Sequence, residues 1–83
     1  MASALYRFCG TEVSVATANT VSSAKLVRVI NTTNATTVLS VANTTTTYGN
    51  TTVAPYEILV VEKATSDTVA GPGLRATPIV YRN

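Results

Sequence analysis

The fold of this chain is decided by residues 25–42, which read KLVRVINTTNATTVLSVA. The first six residues would place apolar side chains on both faces of an extended strand, with Leu26, Arg28 and Ile30 on one face and Lys25, Val27 and Val29 on the other. Such a two-sided pattern is typical of a central strand that is covered on both faces. Residues 31–35 then predict a loop of hairpin type, since Asn tolerates left-handed geometry, and residues 36–42 predict a second strand.

Working outward from this stretch, β-branched and aromatic residues alternate with polar ones in short segments throughout the chain. Further strands are predicted at residues 4–9, 12–17, 44–48, 56–62 and 74–82. Turns are predicted at residues 48–51, 63–68 and 70–73, because Gly, Asn, Ser and Asp concentrate there. Pro78 interrupts the last strand and predicts a bulge or an edge position.

The chain is therefore expected to be all-β, a small antiparallel β-sandwich or barrel-like fold of about seven short strands. Residues 1–83 are expected to form a single β domain, in which residues 1–10 serve as an N-terminal arm or an edge strand. Cys9 is expected to be a small buried residue. The other residues predicted to be mostly buried are Leu26, Val27, Val29, Ile30, Leu39, Val41, Ile58, Val60 and Val80.

The composition points to a protein that is covered by partners. Charged residues make up 12% of the chain, whereas apolar residues make up 46% and the mean hydropathy is +0.26. An ordinary domain carries roughly 25% charged residues. Because a domain this small has little interior, its surface must be coated with uncharged polar groups such as threonine or left apolar for other subunits.

The chain lacks the residues that most catalytic and metal sites require. It contains no histidine and one cysteine, so the commonest general base and the usual zinc ligand sets are missing. The acidic residues Glu12, Glu57, Glu62 and Asp67 lie apart in sequence. We therefore expect no enzymatic activity, no catalytic residue, no cofactor and no bound metal.

Nucleic acid and membranes are also not expected as partners. The basic residues are spread singly along the chain, and the net charge is only +2, which produces no strong positive field. The longest aliphatic run is residues 58–61, far below the roughly 20 residues that span a bilayer. The first seven residues do not resemble a secretory signal peptide.

Threonine-rich repeats dominate the middle of the sequence. Asn31, Asn34, Asn43 and Asn50 each begin an Asn-x-Thr sequon, which we attribute to the high threonine content and not to glycosylation. Their irregular spacing argues against a solenoid. Residues 44–47, four consecutive threonines, are expected to solvate an edge strand or loop, and a role in partner contact is the alternative.

Several large side chains are predicted to contact partner subunits. Tyrosine is favoured at interfaces because it combines apolar area with a polar tip, and the first strand is apolar on both faces. A terminal strand of this kind lies between two layers or reaches onto a neighbour. The partner-contact candidates are Leu5, Tyr6, Phe8, Tyr48 and Tyr81.

The second half of the chain resembles a family of small viral proteins. The resemblance is carried by residues 62–68, EKATSDT, which follow the apolar run 58–61 and precede the strand ATPIVY at 76–81. The strand at 25–30 and its Asn/Thr loop also fit. Together these segments resemble small virion structural proteins of tailed bacteriophages, especially those of marine and cyanobacterial hosts. The resemblance implies a β-sandwich accessory subunit with no catalytic residues.

From these observations we expect a non-enzymatic virion structural protein, a decoration or cement protein that stabilises a capsid through subunit contacts. The expected partners are the major capsid protein and copies of the chain itself, and the expected location is the virion, assembled in the host cytoplasm. A neck, tail or baseplate component is an alternative within the same class. A small carbohydrate- or receptor-binding module is a second alternative.

Overall fold

The chain folds into two antiparallel β-sheets, which confirms the predicted all-β class. The computed structural model describes residues 5–43 and 45–82, with side chains described for 7–43 and 45–80. The strands are β1 Leu5–Phe8, β2 Val13–Ser14, β3 Leu26–Asn31, β4 Thr37–Ala42, β5 Thr47–Val53, β6 Ile58–Glu62, β7 Thr68–Ala70 and β8 Leu74–Arg82. No helix occurs in this part of the chain.

The larger sheet has the strand order β1-β8-β3-β6, and β2 also pairs with β8, on the edge that β1 uses. The smaller sheet has the order β5-β4-β7. On one side the sheets are joined by the segment after β2, because Val15 donates to the Leu74 carbonyl at 3.0 Å and Asn19 bridges to Val69. On the other side, β5 and β6 are both edge strands. The sandwich is thus closed along one side and open along the other.

The core lies between the two sheets and consists mainly of valine. Its buried members are Val15, Val21, Val27, Val29, Leu39, Val53, Val69, Leu74 and Ala76. The burial predicted for Val27, Val29 and Leu39 is confirmed. Leu26, Ile30 and Val41 are only half-buried.

The burial predicted for Ile58, Val60 and Val80 is wrong, because these residues are 48%, 39% and 39% exposed. β6 is an edge strand whose Leu59 and Val61 face the core, so Ile58 and Val60 point to the outer face of the larger sheet. Val80 lies near the end of β8 and pairs with Arg7 of the terminal strand β1. Cys9, also predicted to be buried, is exposed.

Pro78 lies in an interior strand, and β8 pairs with β3 through Pro78 without a register shift, so neither the predicted edge position nor the predicted bulge of the last strand is found. A break in the ladder occurs instead on the side of β1 and β2. The register between β1 and β8 differs by two residues from that between β2 and β8. Pro78 lies opposite this break, where Cys9 donates to its carbonyl at 2.9 Å. A Cβ atom on Gly10 would lie 2.5 Å from the proline ring, so glycine permits the close approach. Pro78 is tolerated in an interior strand because its missing N–H falls at the break.

Two predicted turns are wrong. Residues 48–51 belong to β5, where a register shift opposite Val41 and Ala42 accommodates one extra residue. Residues 31–35 do not form a hairpin, because β3 and β4 belong to different sheets and the loop crosses between them. In addition, β7 begins within the predicted turn at 63–68.

The first two Asn-Thr-Thr repeats form local hydrogen bonds, whereas the third, residues 50–52, lies in the strand β5. In each of the first two, the asparagine Oδ1 accepts hydrogen bonds from the backbone N–H and the hydroxyl of the residue two positions later, Thr33 for Asn31 and Thr45 for Asn43. At Asn31 and Asn43 the repeat therefore has a local physical cause, a side-chain amide oxygen that accepts from the backbone two residues on. Asn31 is fully buried, so its amide nitrogen is inaccessible to glycosylation in the folded chain.

Candidate partner-binding cleft

The open side of the sandwich contains a cleft of about 430 Å³ between β5 and β6. Leu39 and Val41 form its floor, and residues 48–51 and 59–62 form its two walls. Consecutive residues of a strand point to opposite faces. Because four consecutive residues of each strand line the cleft, its walls are the edges of the two strands and not their faces. The cleft therefore has the shape of a site for one additional strand.

The edge of β6 that faces the cleft carries unpaired backbone groups. Asn31 donates to the Glu57 carbonyl and Lys63 donates to the Lys25 carbonyl. Since hydrogen-bonded pairs alternate along an antiparallel ladder, Leu59 and Val61 also bond to β3. The N–H and C=O groups of Ile58, Val60 and Glu62 then point away from β3, and among the described residues no strand pairs with them.

The two edges differ in chemistry. β6 is apolar on both faces, whereas the cleft-facing part of β5 contributes Tyr48, Gly49, Asn50 and Thr51. Natural sheets usually protect a long edge strand with lysine, proline or a covering loop. In β6, residues 58–61 contain none of these protective residues.

The charged groups that line the cleft are both acidic, Glu62 and Asp67. Asp67 is almost fully buried, and its Oδ2 accepts a hydrogen bond from the Ala64 N–H at 3.1 Å. Through this bond the Asp67 side chain stabilises the turn after β6. The Arg75–Glu12 ion pair lies elsewhere, along β8 and β2, and Glu62 has no ion pair among the described residues.

Lys63 follows β6 directly and is buried. Its Nζ donates to the Ala24 carbonyl at 2.6 Å and to the Ala64 carbonyl at 3.3 Å. Burial lowers the pKa of Lys63, and the nearby Asp67 carboxylate partly opposes that shift. The ammonium ties the loop before β3 to the end of β6.

We expect the Lys63→Met variant to change how stability depends on pH. The folded chain holds the pKa of Lys63 below its unfolded value of about 10.4, so between these two values the unfolded state binds more protons and the free energy of unfolding rises with pH. Urea denaturation at a series of alkaline pH values should show this rise in the parent, relative to the variant. If the free energies of unfolding of the two proteins change in parallel with pH, the Lys63 ammonium is well solvated and the prediction is contradicted.

A second candidate surface is the outer face of the larger sheet. A shallow pocket of about 340 Å³ there is lined by Phe8, Gly10, Glu12, Arg28 and Thr77. The pairing registers place Ile30, Ile58, Val60 and Ile79 on the same face. Ile79 is buried but stands outside the core cluster. This face therefore combines apolar patches with isolated charges.

The structure separates the predicted contact residues. Phe8 is 66% exposed on the outer face, whereas Tyr48 is 59% exposed and lines the cleft. The side chains of Leu5, Tyr6 and Tyr81 lie outside those that the structure describes, although their backbones belong to β1 and β8. Sequence reasoning missed Leu59, Val61 and Thr51. The sequence signal for Leu59 and Val61 is that residues 58–61 form an apolar run, which places apolar side chains on both faces of a strand.

Searches against protein-family models, curated proteins and solved structures found no match to this chain. Within residues 5–43 and 45–82, no three His, Cys, Asp or Glu side chains come together as a metal-binding group. Nor does this part of the chain form a helix that could cross a membrane.

Proposed function

We propose that the chain is a non-enzymatic structural subunit of a tailed-bacteriophage virion, a decoration protein that binds the capsid and stabilises the shell. The observation that carries the proposal is the open apolar cleft, which accompanies exposed apolar side chains on a small domain with few charges. Burying such surface stabilises an assembly by roughly 25 cal/mol per Å² before the costs of association. The sequence resemblance described above supplies the class of assembly.

The arrangement of surfaces fits a subunit that joins neighbours. The cleft and the outer-face pocket have no lining residue in common. The cleft is lined mainly by β4, β5 and β6, and the pocket is lined by Phe8, Gly10, Glu12, Arg28 and Thr77. A subunit with two separate contact surfaces is able to bridge two partners.

The proposal is tested on purified particles of the phage that encodes the chain. We expect mass spectrometry to find the protein at a copy number that scales with the major capsid protein, and electron cryomicroscopy to locate it on the shell. Particles from a deletion mutant should release DNA at lower temperature than the parent. Location at the neck, tail or baseplate would favour that alternative, and absence from particles would overturn the virion role.

A further inference from the structure

We propose that the cleft between β5 and β6 receives an extended segment of a neighbouring subunit of a different protein, which pairs with β6 and carries a basic residue beside Glu62. This inference deepens the proposed function by assigning the contact site, and it rests on that function only in calling the donor a virion subunit.

The first support is the shape and hydrogen-bonding state of the cleft. Its walls are two strand edges, and Val60 and Glu62 direct unpaired backbone groups into it. An inserted strand would satisfy these groups by β-strand addition. Its inward side chains would cover Val41, Leu59 and Val61, which line the cleft and are only half-buried.

The second support is the exposure of β5. Thr51 pairs with Leu39, and Gly49 pairs with Val41, so the registers place both on the core-facing side of the smaller sheet. Both are nevertheless exposed. This part of β5 therefore has no strand packed against its core-facing side, and no described strand occupies the position beside β6 in the larger sheet.

The chemistry of β6 itself argues against pairing with β6 of a second copy. β6 contains no basic residue and ends in Glu62, so a second copy would bring a further acidic residue to a cleft whose charged lining residues are already acidic. An extended segment of a different protein is free to carry the basic residue that this end of the cleft attracts.

The third support is charge. Glu62 and Asp67 line the cleft, and no basic side chain lines it among the described residues. Glu62 is exposed and free of an ion pair there. A lysine or arginine next to the apolar part of the donor would be attracted to this end, whereas an acidic residue would be repelled. The expected donor is therefore an extended segment with alternating apolar residues and a flanking basic residue.

The test uses the full chain and a short synthetic peptide in which valine and threonine alternate between two terminal lysines. In an NMR titration, we expect backbone amide shifts at residues 47–51 and 58–62. The same peptide with terminal glutamates should bind roughly three- to tenfold more weakly, the range given by one or two exposed charge pairs. No binding of the lysine peptide, or shifts confined to Phe8, Arg28 and Thr77, would overturn the proposal.

Two variants separate backbone pairing from side-chain contact. Val60→Pro removes an N–H that points into the cleft but not a bond to β3, so the edge strand should tolerate it while peptide affinity falls by about tenfold or more. Val60→Thr keeps the N–H and should bind like the parent. Equal binding by Val60→Pro and the parent would contradict strand addition.

A charge variant keeps the test decisive if Val60→Pro does not fold. Glu62→Lys should remove the preference for the lysine peptide, whereas Glu12→Lys, on the β2 side of the larger sheet, should leave the preference unchanged. Concentration-dependent dimerisation through β6 that the peptide reverses would make a second copy the occupant and overturn the proposal. Failure of peptide binding leaves the particle experiment untouched, so the two proposals fail separately.

Discussion

Replacement of Asn31 by alanine is expected to lower the free energy of unfolding by about 3 kcal/mol, because it leaves several buried polar groups without a hydrogen-bond partner. The Asn31 amide nitrogen donates to the carbonyls of Ala35, Val53 and Ala54, at 2.8, 3.4 and 3.1 Å. Its Oδ1 accepts from Thr33. One buried side chain at the end of β3 is thus hydrogen-bonded to both the crossing loop and the end of β5.

Urea denaturation of Asn31→Ala and Asn34→Ala measures this effect. Asn34 lies in the same loop, is exposed, and makes no side-chain hydrogen bond within the described part of the chain. Its substitution should change stability by less than about 0.5 kcal/mol. Similar losses in both variants would mean that the loop composition, and not the buried amide, carries the stability. A loss of about 3 kcal/mol is a large share of what a small domain possesses.

Aspartate at Val29 should unfold the chain, whereas aspartate at Val60 should leave it folded. Val29 is fully buried in the centre of the larger sheet, and Val60 is 39% exposed on its outer face. A carboxylate buried without a partner costs several kcal/mol, which approaches the whole stability of a domain of this size. At Val60 the carboxylate remains in water, and only part of the apolar contact is lost.

Circular dichroism and thermal melting distinguish these outcomes. We expect Val29→Asp to lack a cooperative transition and Val60→Asp to melt within a few degrees of the parent, since about 1 kcal/mol shifts the midpoint of a small domain by roughly 4–8 °C. Unfolding of Val60→Asp would show that β6 is packed on both faces in the isolated chain.

The bounds of several strands follow closely from the sequence. The predictions for β1, β3, β4 and β8 lie within one residue of the observed ends, because β-branched and apolar residues in these segments are bounded by turn-forming ones. β7 was missed because it has only three residues between turn-forming Asp67 and Gly71. In β5, Gly49 and Asn50 resemble a turn locally, but pairing with β4 and a bulge hold them extended.

The cleft could not be predicted because it depends on how the strands divide between sheets. An apolar run such as residues 58–61 is compatible with a buried central strand or with an edge strand that awaits a partner. Only the topology, with β6 at the end of its sheet, separates these cases. Tyr48 was identified as a contact residue from its side-chain chemistry, but Leu59 and Val61 look like ordinary core residues until β5 and β6 are seen to diverge from one another.

Residue-resolved amide hydrogen exchange, on the free chain and with the lysine-ended peptide at saturation, tests the central claim most directly. In the free chain the amides of Val60 and Glu62 should exchange rapidly, while those of Leu59 and Val61 are protected by their bonds to β3. Saturation with the peptide should slow Val60 and Glu62 strongly and leave Leu59 and Val61 protected. Slow exchange of Val60 and Glu62 in the free chain, or rates that the peptide leaves unchanged, would contradict a vacant strand position beside β6.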